Sequence, residues 1–293
     1  MTTPSASTRA VLEEACLSVG LDTTNAQPIR IAENAVWRLP GGVVVRVARP
    51  GQSAAAAREV QVARWLTAEG VSAVRALDLP QPVAASGHPV TFWQELPPHE
   101  IGTVTDVVVL LKQLHALPKP DLPLGELDPF VRLVERIDAA ITISDDDQLW
   151  LKHRLEDLKQ QWASRPKGLP ECVVHGDAWV GNVARTEAGP MLLDFERASF
   201  GPPEWDLVST AVKLTTTGAV SAEEYAAFCE TYGVDVTEWE GYELLANARE
   251  LRMVTYAAQH AASRPEWRRE AQYRIDCLRG RAGAPPWRWK GII

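Results

Sequence analysis

Three side chains that carry oxygen ligands, Asp177, Asn182 and Asp194, lie in one stretch of the chain. Before them, Val173-Val174 predicts a short buried strand that stops where a His-Gly-Asp sequence begins. Between Asn182 and Asp194, the small and polar residues 186–189 predict a tight turn that joins two further strands. A strand-loop-strand unit of this kind is expected to bring the two carboxylates and the amide close together.

Two carboxylates and one amide oxygen are hard ligands, which suit magnesium better than zinc. Phosphoryl transfer needs one group that orients the attacking hydroxyl and two groups that hold the metal against the phosphates. The three side chains could supply this set. The competing interpretation is an aspartate-rich turn whose side chains bond only to their own backbone.

The stretch also carries two motifs. His-Gly-Asp-x-x-x-x-Asn at residues 175–182, followed by Leu-Leu-Asp-Phe-Glu at 192–196, resembles the aminoglycoside phosphotransferase family of small-molecule kinases. Residues 198–207, Ala-Ser-Phe-Gly-Pro-Pro-Glu-Trp-Asp-Leu, resemble the next segment of that family. The likeness extends over most of the chain, but its specific part is this central stretch.

The resemblance implies a fold and a set of roles. The fold would be α+β and protein-kinase-like, with a small β-rich N-lobe at residues 1–96 and a larger, mainly helical C-lobe at 97–293. Asp177 would orient the acceptor hydroxyl and take its proton, while Asn182 and Asp194 would hold Mg²⁺. The phosphate donor would be ATP or GTP, and the acceptor would be a hydroxyl of a small molecule.

The apolar strand predicted at Val43–Val47 carries one charged residue, Arg46, and an unpaired charge is costly to bury. A helix predicted at residues 53–69 places Glu59 on an otherwise apolar face, so we expect the two residues to form an ion pair. The resembled family usually has lysine in this strand, in contact with the phosphates. Arginine departs from that pattern, although its planar fork of donors also binds phosphate. Side chains that both face solvent are the alternative.

Two further candidates for nucleotide binding come from the resemblance. Residues 32–35, Ala-Glu-Asn-Ala, stand where the family has the loop that covers the phosphates, and Asn34 is the candidate there. This loop lacks the glycines that let a backbone approach phosphate closely, so a plain strand is an equally open interpretation. Residues 90–97 predict a strand that enters a proline-rich linker, where backbone groups near Glu95 and Leu96 would bind the edge of the nucleotide base.

Apolar residues at three- and four-residue spacing predict further helices at 7–20, 103–116, 144–162, 204–217 and roughly 265–280. Ser53 is expected to be the N-cap of the helix at 53–69. Ser221 and Thr237, each followed three positions later by Glu, are expected to open two more helices with capping boxes.

Composition excludes several classes of protein. A chain of 293 residues with 46% hydrophobic content can form one large domain or two. Its net charge of −8 argues against nucleic-acid partners and anionic membranes. Its four cysteines lie far apart and are expected to be free thiols in a reducing compartment. We find no signal-peptide pattern and no apolar stretch near the ~20 residues of a membrane span, so we expect a cytoplasmic protein.

Three other functions remain open to the motif. A protein kinase is disfavoured because only twelve positions separate Asp194 from Asp206, too few for a regulated activation segment. A nucleotide-binding pseudokinase without turnover is favoured by Arg46 and the glycine-free loop, but disfavoured by the complete set of three oxygen ligands. A hydrolase that uses Asp177 and His175 would lack any nucleophile-elbow pattern.

The acceptor is less well defined than the reaction. Aminoglycosides, other antibiotics, amino sugars and choline-like metabolites are all substrates of the resembled superfamily, so antibiotic resistance and metabolism are both open roles. Residues 221–250 carry eight acidic residues and one basic residue. Acidic side chains could hold an amino group of the acceptor by charge-assisted hydrogen bonds. A solvated acidic helix face is the alternative.

Overall fold

The structure is a computed structural model that describes residues 4–31 and 34–291. Nine α-helices lie in these residues: α1 Pro4–Ser18, α2 Ser53–Ala68, α3 Val104–His115, α4 Leu133–Asp138, α5 Asp145–Ala163, α6 Glu204–Thr215, α7 Ala222–Tyr232, α8 Tyr242–Ala261 and α9 Arg268–Leu278. All the helices that hydrophobic spacing predicted are present, with ends shifted by a few residues.

Ten strands lie in the same residues: β1 Gln27–Ile31, β2 Ala35–Leu39, β3 Val43–Val47, β4 Val83–Ala85, β5 His88–Gln94, β6 His99–Ile101, β7 Cys172–Val174, β8 Val183–Thr186, β9 Gly189–Leu192 and β10 Ser199–Gly201. The fold is α+β, with a β-sheet in its N-terminal part and helices in its C-terminal part, as predicted. The chain divides into two compact units, one of Met1–Gly125 with His175–Phe200 and one of Glu126–Val174 with Gly201–Ile293.

The first unit contains an antiparallel five-stranded sheet with the order β1-β2-β3-β5-β4. Strand β3 is central, and its Arg46 lies opposite Val36 of β2 and Thr91 of β5. One face of the sheet packs against the apolar side of α1, where Leu12 and Phe92 are fully buried. This packing fixes the position of β3 and therefore the point on the sheet from which the side chain of Arg46 extends.

Helix α2 follows β3 and buries Ala56, Val60, Ala63 and Leu66 together with Glu59. Its first residue is Ser53, and the N-cap is Gln52, whose side chain makes no capping bond. The prediction that Ser53 caps the helix is therefore wrong. The helix begins one residue earlier than a serine cap would place it, and its stability comes from the buried face.

A second antiparallel sheet of the first unit has the order β6-β8-β9. Strands β8 and β9 form the predicted hairpin, with Thr186 opposite Gly189 and Val183 opposite Leu192. The Thr186 hydroxyl donates to the carbonyl of Gly189 over 2.8 Å and holds the turn closed. The hairpin fixes the residues on either side of it, which are the loop at 175–182 and the segment that begins at Leu193.

The second unit is helical around α8, which buries twelve of its side chains. Ser221 opens α7 with a capping box, as predicted. Thr237 does not open a helix, because Asp235 accepts hydrogen bonds from both the N–H and the hydroxyl of Thr237 and holds it in a short 3₁₀ turn. Helix α8 begins only at Tyr242.

Two sequence expectations concern the whole chain. The cysteines are free thiols, three of them buried and Cys229 half-buried. Across the residues that the structure covers, no helix has both the length and the apolar character to cross a membrane.

Candidate active site

The His-Gly-Asp turn is held by a fully buried histidine. The Nε2 of His175 lies 2.8 Å from the carbonyl oxygen of Leu193, and its Nδ1 lies 3.3 Å from the backbone N–H of Asp177. Since a carbonyl can only accept and an N–H can only donate, these two contacts have Nε2 as the donor and Nδ1 as the acceptor. This histidine orients the turn by its two hydrogen bonds.

Gly176, between these two residues, has a φ of +83°. A Cβ at this position would lie 2.4 Å from the carbonyl oxygen of Arg197. Both the backbone conformation and the close approach of the 197 segment therefore require glycine. As a consequence, the segment after Asp194 packs directly against the turn that carries Asp177.

Asn182 closes a 3₁₀ turn at Val180–Asn182, in which its N–H donates to the carbonyl of Trp179 over 2.9 Å. Its side-chain amide nitrogen donates to the carbonyl of Asp177 over 2.9 Å, and its own carbonyl accepts from the N–H of Leu193 over 3.0 Å. Because the amide nitrogen is used inside the loop, the amide oxygen is the atom that Asn182 can offer to a cation.

Asp194 begins the segment after the β8–β9 hairpin, in a left-handed conformation with a φ of +63°. Its side chain is 39% exposed, yet its Oδ1 is inaccessible to solvent and has no hydrogen-bond partner. The Nη1 of Arg46 lies 3.8 Å from this oxygen. Desolvation and the neighbouring Glu196 carboxylate raise the pKa of Asp194, against the lowering effect of Arg46.

This geometry fits a hard divalent cation. A buried carboxylate oxygen without a hydrogen bond is costly unless a positive charge meets it. The oxygens of Asp194 and Asn182 are of the type that magnesium prefers, and magnesium usually takes its other ligands from water and substrate phosphates. Within the described residues no group of three or more His, Cys, Asp or Glu side chains is arranged to hold a metal by itself.

Arg46 and Glu59 form the expected ion pair. The Nη1 of Arg46 lies 2.7 Å from both carboxylate oxygens of Glu59, and its Nη2 donates to the Oε2 of Glu196 over 2.8 Å. The side chains of Arg46 and Glu59 are only 17% and 6% exposed. Arg46 therefore joins the central strand, helix α2 and the segment that carries Asp194.

Three carboxylates surround this guanidinium, those of Glu59, Asp194 and Glu196. Burial raises the pKa of Glu59 to about 8, with Arg46 opposing the rise and the carboxylates of Asp194 and Glu196 adding to it. Burial alone would lower the pKa of Arg46, but the same three carboxylates raise it above its usual value. The arginine therefore stays charged, while Glu59 and Asp194 take up a proton or a nearby cation more readily than an exposed carboxylate does.

The three other predicted nucleotide-binding residues lie elsewhere in the first unit. Asn34 is half-buried in the bend before β2, while Ala32 and Glu33 lie outside the described residues. The N–H of Glu95 donates to the carbonyl of Gly42 over 2.7 Å, and its carboxylate pairs with Arg38. Among the described residues, no hydrogen bond engages the carbonyl of Glu95 or the N–H of Leu96.

Three residues of the site had no role in the sequence analysis. His175 was assigned none beyond a disfavoured hydrolase. Arg58 donates from its Nη1 to the backbone carbonyl of Glu196 over 2.9 Å, and Glu196 itself pairs with Arg46. One signal could have revealed Glu196. It is the last residue of the Leu-Leu-Asp-Phe-Glu motif and lies two positions after Asp194.

One family model matches more than half of the chain. A family model described as APH, phosphotransferase enzyme family, matches residues 25–245, which contain every predicted site residue. A comparison with curated protein sequences found no match.

Solved structures share the fold at low sequence identity. Aminoglycoside phosphotransferase APH(3'')-Id from Streptomyces rimosus has a TM-score of 0.64 at 16% identity, covering 83% of this chain and 98% of that one. A choline/ethanolamine kinase family protein from Mesorhizobium loti has a TM-score of 0.66 at 16% identity, covering 95% of each chain. An amicoumacin kinase, solved with AMP-PNP, Ca²⁺ and its antibiotic, has a TM-score of 0.65 at 12% identity, covering 92% of this chain and 96% of that one.

Proposed function

Because this chain belongs to the phosphotransferase enzyme family, whose members phosphorylate hydroxyls of small molecules, we propose that it moves the γ-phosphate of ATP or GTP to such a hydroxyl with the help of Mg²⁺. The observation that carries the proposal is the position of Leu193. Its carbonyl accepts from His175 and its N–H donates to Asn182, so the loop of Asp177 and the segment of Asp194 are bonded to one residue.

Asp177 is the proposed catalytic residue. Its backbone is held from both sides, by His175 at the N–H and by Asn182 at the carbonyl, which fixes the position from which the carboxylate extends. A carboxylate in this position can accept the proton of the acceptor hydroxyl and orient its oxygen toward the phosphate. Positioning is the larger part of catalysis in such transfers, which suits a residue with a fixed backbone.

Asn182 and Asp194 are the proposed ligands of Mg²⁺. When bound, the ion would neutralise charge on the phosphates of the nucleotide. The residues contribute two oxygens whose positions are set by the 3₁₀ turn and by the hairpin β8–β9. The Ca²⁺ ion and AMP-PNP of the related amicoumacin kinase support a cation and a nucleotide in such a fold.

Nucleotide binding is proposed for the N-terminal part of the chain. In this proposal residues 1–96 are the nucleotide-binding lobe, and residues 97–293 carry the catalytic groups and the acceptor site. Arg46, positioned by Glu59, would contact the phosphates. Asn34 would lie beside them, and the backbone of Glu95 and Leu96 would meet the base.

The proposed acceptor is an aminoglycoside, another antibiotic or an amino-sugar-like molecule. Related structures named for streptomycin, kanamycin and amicoumacin complexes support acceptors of this size and polarity. The eight acidic residues at 221–250 favour an acceptor that carries amino groups.

The test is a screen of such acceptors with purified protein, ATP or GTP, and Mg²⁺. We expect nucleoside diphosphate release that depends on one class of acceptor, and mass spectrometry should find one added phosphoryl group on that acceptor. Asp177→Asn protein is the control for contaminating kinases. Tight nucleotide binding without transfer to any acceptor, and without slow hydrolysis, would instead favour a pseudokinase.

A further inference from the structure

The guanidinium of Arg46 is divided between two carboxylates that differ in how firmly they hold it. Nη1 is bound by both oxygens of Glu59 at 2.7 Å, and the Glu59 side chain is 6% exposed. Nη2 is bound by one oxygen of Glu196 at 2.8 Å, and the Glu196 side chain is 31% exposed. Glu59 is thus the permanent partner, while Glu196 can exchange its contact for water or another anion.

The backbone of Glu196 is anchored independently of this contact. Arg58, the neighbour of Glu59 on helix α2, donates to the carbonyl of Glu196 over 2.9 Å. The side chain of Glu196 can therefore leave Arg46 while its backbone stays in place. Arg197 Nε lies 4.0 Å from the Oε1 of Glu196 and offers the displaced carboxylate a second cation.

A phosphate oxygen and a carboxylate oxygen are equivalent acceptors for a guanidinium nitrogen, since both are anionic and accept the same short charge-assisted hydrogen bond. If Arg46 contacts the nucleotide, as the proposed function requires, Nη2 is the nitrogen that can do so without breaking the buried pair with Glu59. Glu196 occupies that nitrogen in the structure described here.

Resting on the proposed function, we propose that Glu196 stands in for a phosphate oxygen on Nη2 of Arg46 and is displaced when nucleotide binds. Glu196 is then a positioning residue. Before nucleotide binds, it holds the guanidinium in the orientation that phosphate requires. Because it must be displaced, it also lowers the affinity for nucleotide. This displacement requires an arginine, because the two terminal nitrogens of its guanidinium hold two carboxylates in fixed directions, whereas a lysine has one compact charge.

The first test measures binding by calorimetry, with ATP and with inorganic tripolyphosphate, both in EDTA so that no metal contributes. Glu196→Gln should bind both probes roughly fivefold more tightly than the natural protein, the size of effect that a partly exposed ion pair contributes. Gln keeps the shape of the side chain and can still accept a hydrogen bond from Nη2, so the fold is retained.

Glu171→Gln is the matched control. It also removes one charge from a Glu–Arg pair, because Glu171 lies 2.9 Å from Arg165, but this pair is outside the site. Its affinities should not change.

The second test repeats both measurements in an Arg46→Lys background. There the effect of Glu196→Gln should shrink toward onefold, because a lysine cannot present the second nitrogen. Glu196→Asp keeps the charge on a shorter side chain, so it should tighten binding less than Glu196→Gln does. It is also the conservative variant, which is expected to fold even if Glu196→Gln does not.

Two results would overturn the inference. Unchanged or weaker binding of tripolyphosphate by Glu196→Gln in EDTA would show that Glu196 does not compete with phosphate. Weaker nucleotide binding only when Mg²⁺ is added would make Glu196 a metal ligand instead. The proposed function fails separately, if the natural protein binds nucleotide in neither condition.

Discussion

The side-chain amide of Asn182 donates a hydrogen bond to the backbone carbonyl of Asp177 over 2.9 Å. This contact joins the side chain of a proposed metal ligand to the backbone of the proposed catalytic residue within one loop. Any shift of Asn182 toward a cation would therefore move the backbone of Asp177 as well. The loop is further bonded through Leu193 to the segment of Asp194, so the three groups keep one relative geometry.

Asp177→Asn should leave folding and nucleotide binding intact and reduce phosphoryl transfer ~10²–10⁴-fold, because the amide cannot accept the hydroxyl proton. The hydrogen bonds of residue 177 with His175 and Asn182 use its backbone and survive the change. Thermal melting, nucleotide binding and turnover of the acceptor should be measured on the same preparation. Near-normal turnover by a folded variant would exclude Asp177 as the catalytic group.

Asp194→Ala should remove the magnesium dependence of nucleotide binding, since it deletes the anionic ligand whose Oδ1 has no hydrogen bond. Affinity for ATP should be titrated against Mg²⁺ for the natural protein and the variant. Asp157→Ala, at an exposed position of α5, is the control for loss of one acidic charge. A variant that still responds to Mg²⁺ as the natural protein does would make Asp194 a structural residue.

Gly176→Ala should unfold or displace the His-Gly-Asp turn. A left-handed φ costs alanine about 1–2 kcal/mol, and the clash of its Cβ with Arg197 adds about 1–3 kcal/mol. Gly87→Ala is a matched control, because Gly87 has a φ of +80° against +83° for Gly176 but nothing within 4 Å of its Cβ position. Denaturant unfolding should show a larger loss of stability for Gly176→Ala, and equal losses would mean that no close packing exists there.

Local patterns predicted the elements that position the site. Apolar runs and a turn sequence were sufficient for the β8–β9 hairpin, and helical spacing was sufficient for α2 and its buried Glu59. Caps were less predictable, because Asp235 captures Thr237 in a local turn that competes with a capping box. Side-chain hydrogen bonds of this kind are decided by neighbours that a two-residue motif does not contain.

The contacts of Glu196 could not be predicted from local sequence. Its partner Arg46 lies 150 positions away, and Arg58 lies 138 positions away. Periodicity indicates which face a residue occupies but not which distant element covers that face. Arg46 and Glu59 are only 13 positions apart, in a strand and the helix that follows it, and so their pairing was accessible to sequence reasoning.

Asp147→Asn should reduce stability at neutral pH. Although burial opposes the shift, hydrogen bonds from Gln272, Arg281, Arg279 and Ser144 lower the pKa of Asp147 to about 2. A depressed carboxylate pKa contributes stability above the unfolded value of roughly 3.9, and the contribution disappears as pH falls toward the folded value. The natural protein should therefore exceed the variant by about 2 kcal/mol at pH 7, and the difference should shrink between about pH 4 and pH 2.

Urea unfolding at several pH values measures this difference. Asp146→Asn is the control, because that carboxylate also contacts Arg279, at 2.7 Å, but is 77% exposed. An exposed pair contributes little, so its variant should stay close to the natural protein at every pH. A pH-independent loss in Asp147→Asn would point to packing and not to charge.

Arg46 is one place where the sequence departs from the pattern of the family that it resembles, and its pairing with Glu59 can be tested by a double-mutant cycle. Arg46→Ala and Glu59→Ala should each raise the Michaelis constant for nucleotide, the first by deleting the phosphate contact and the second by releasing the guanidinium. The double variant should cost less than the sum of the two, because residues in direct contact act as a unit. The reference cycle is the exposed pair Arg165 and Glu171, where we expect additivity and an unchanged Michaelis constant for nucleotide.

Arg46→Lys should restore only part of the affinity for nucleotide that Arg46→Ala loses, since lysine cannot reproduce a bond to both oxygens of Glu59 together with one to phosphate. Strict additivity at Arg46 and Glu59, or an unchanged Michaelis constant in Arg46→Ala, would mean that Arg46 only joins β3 to α2 and that another group holds the phosphates.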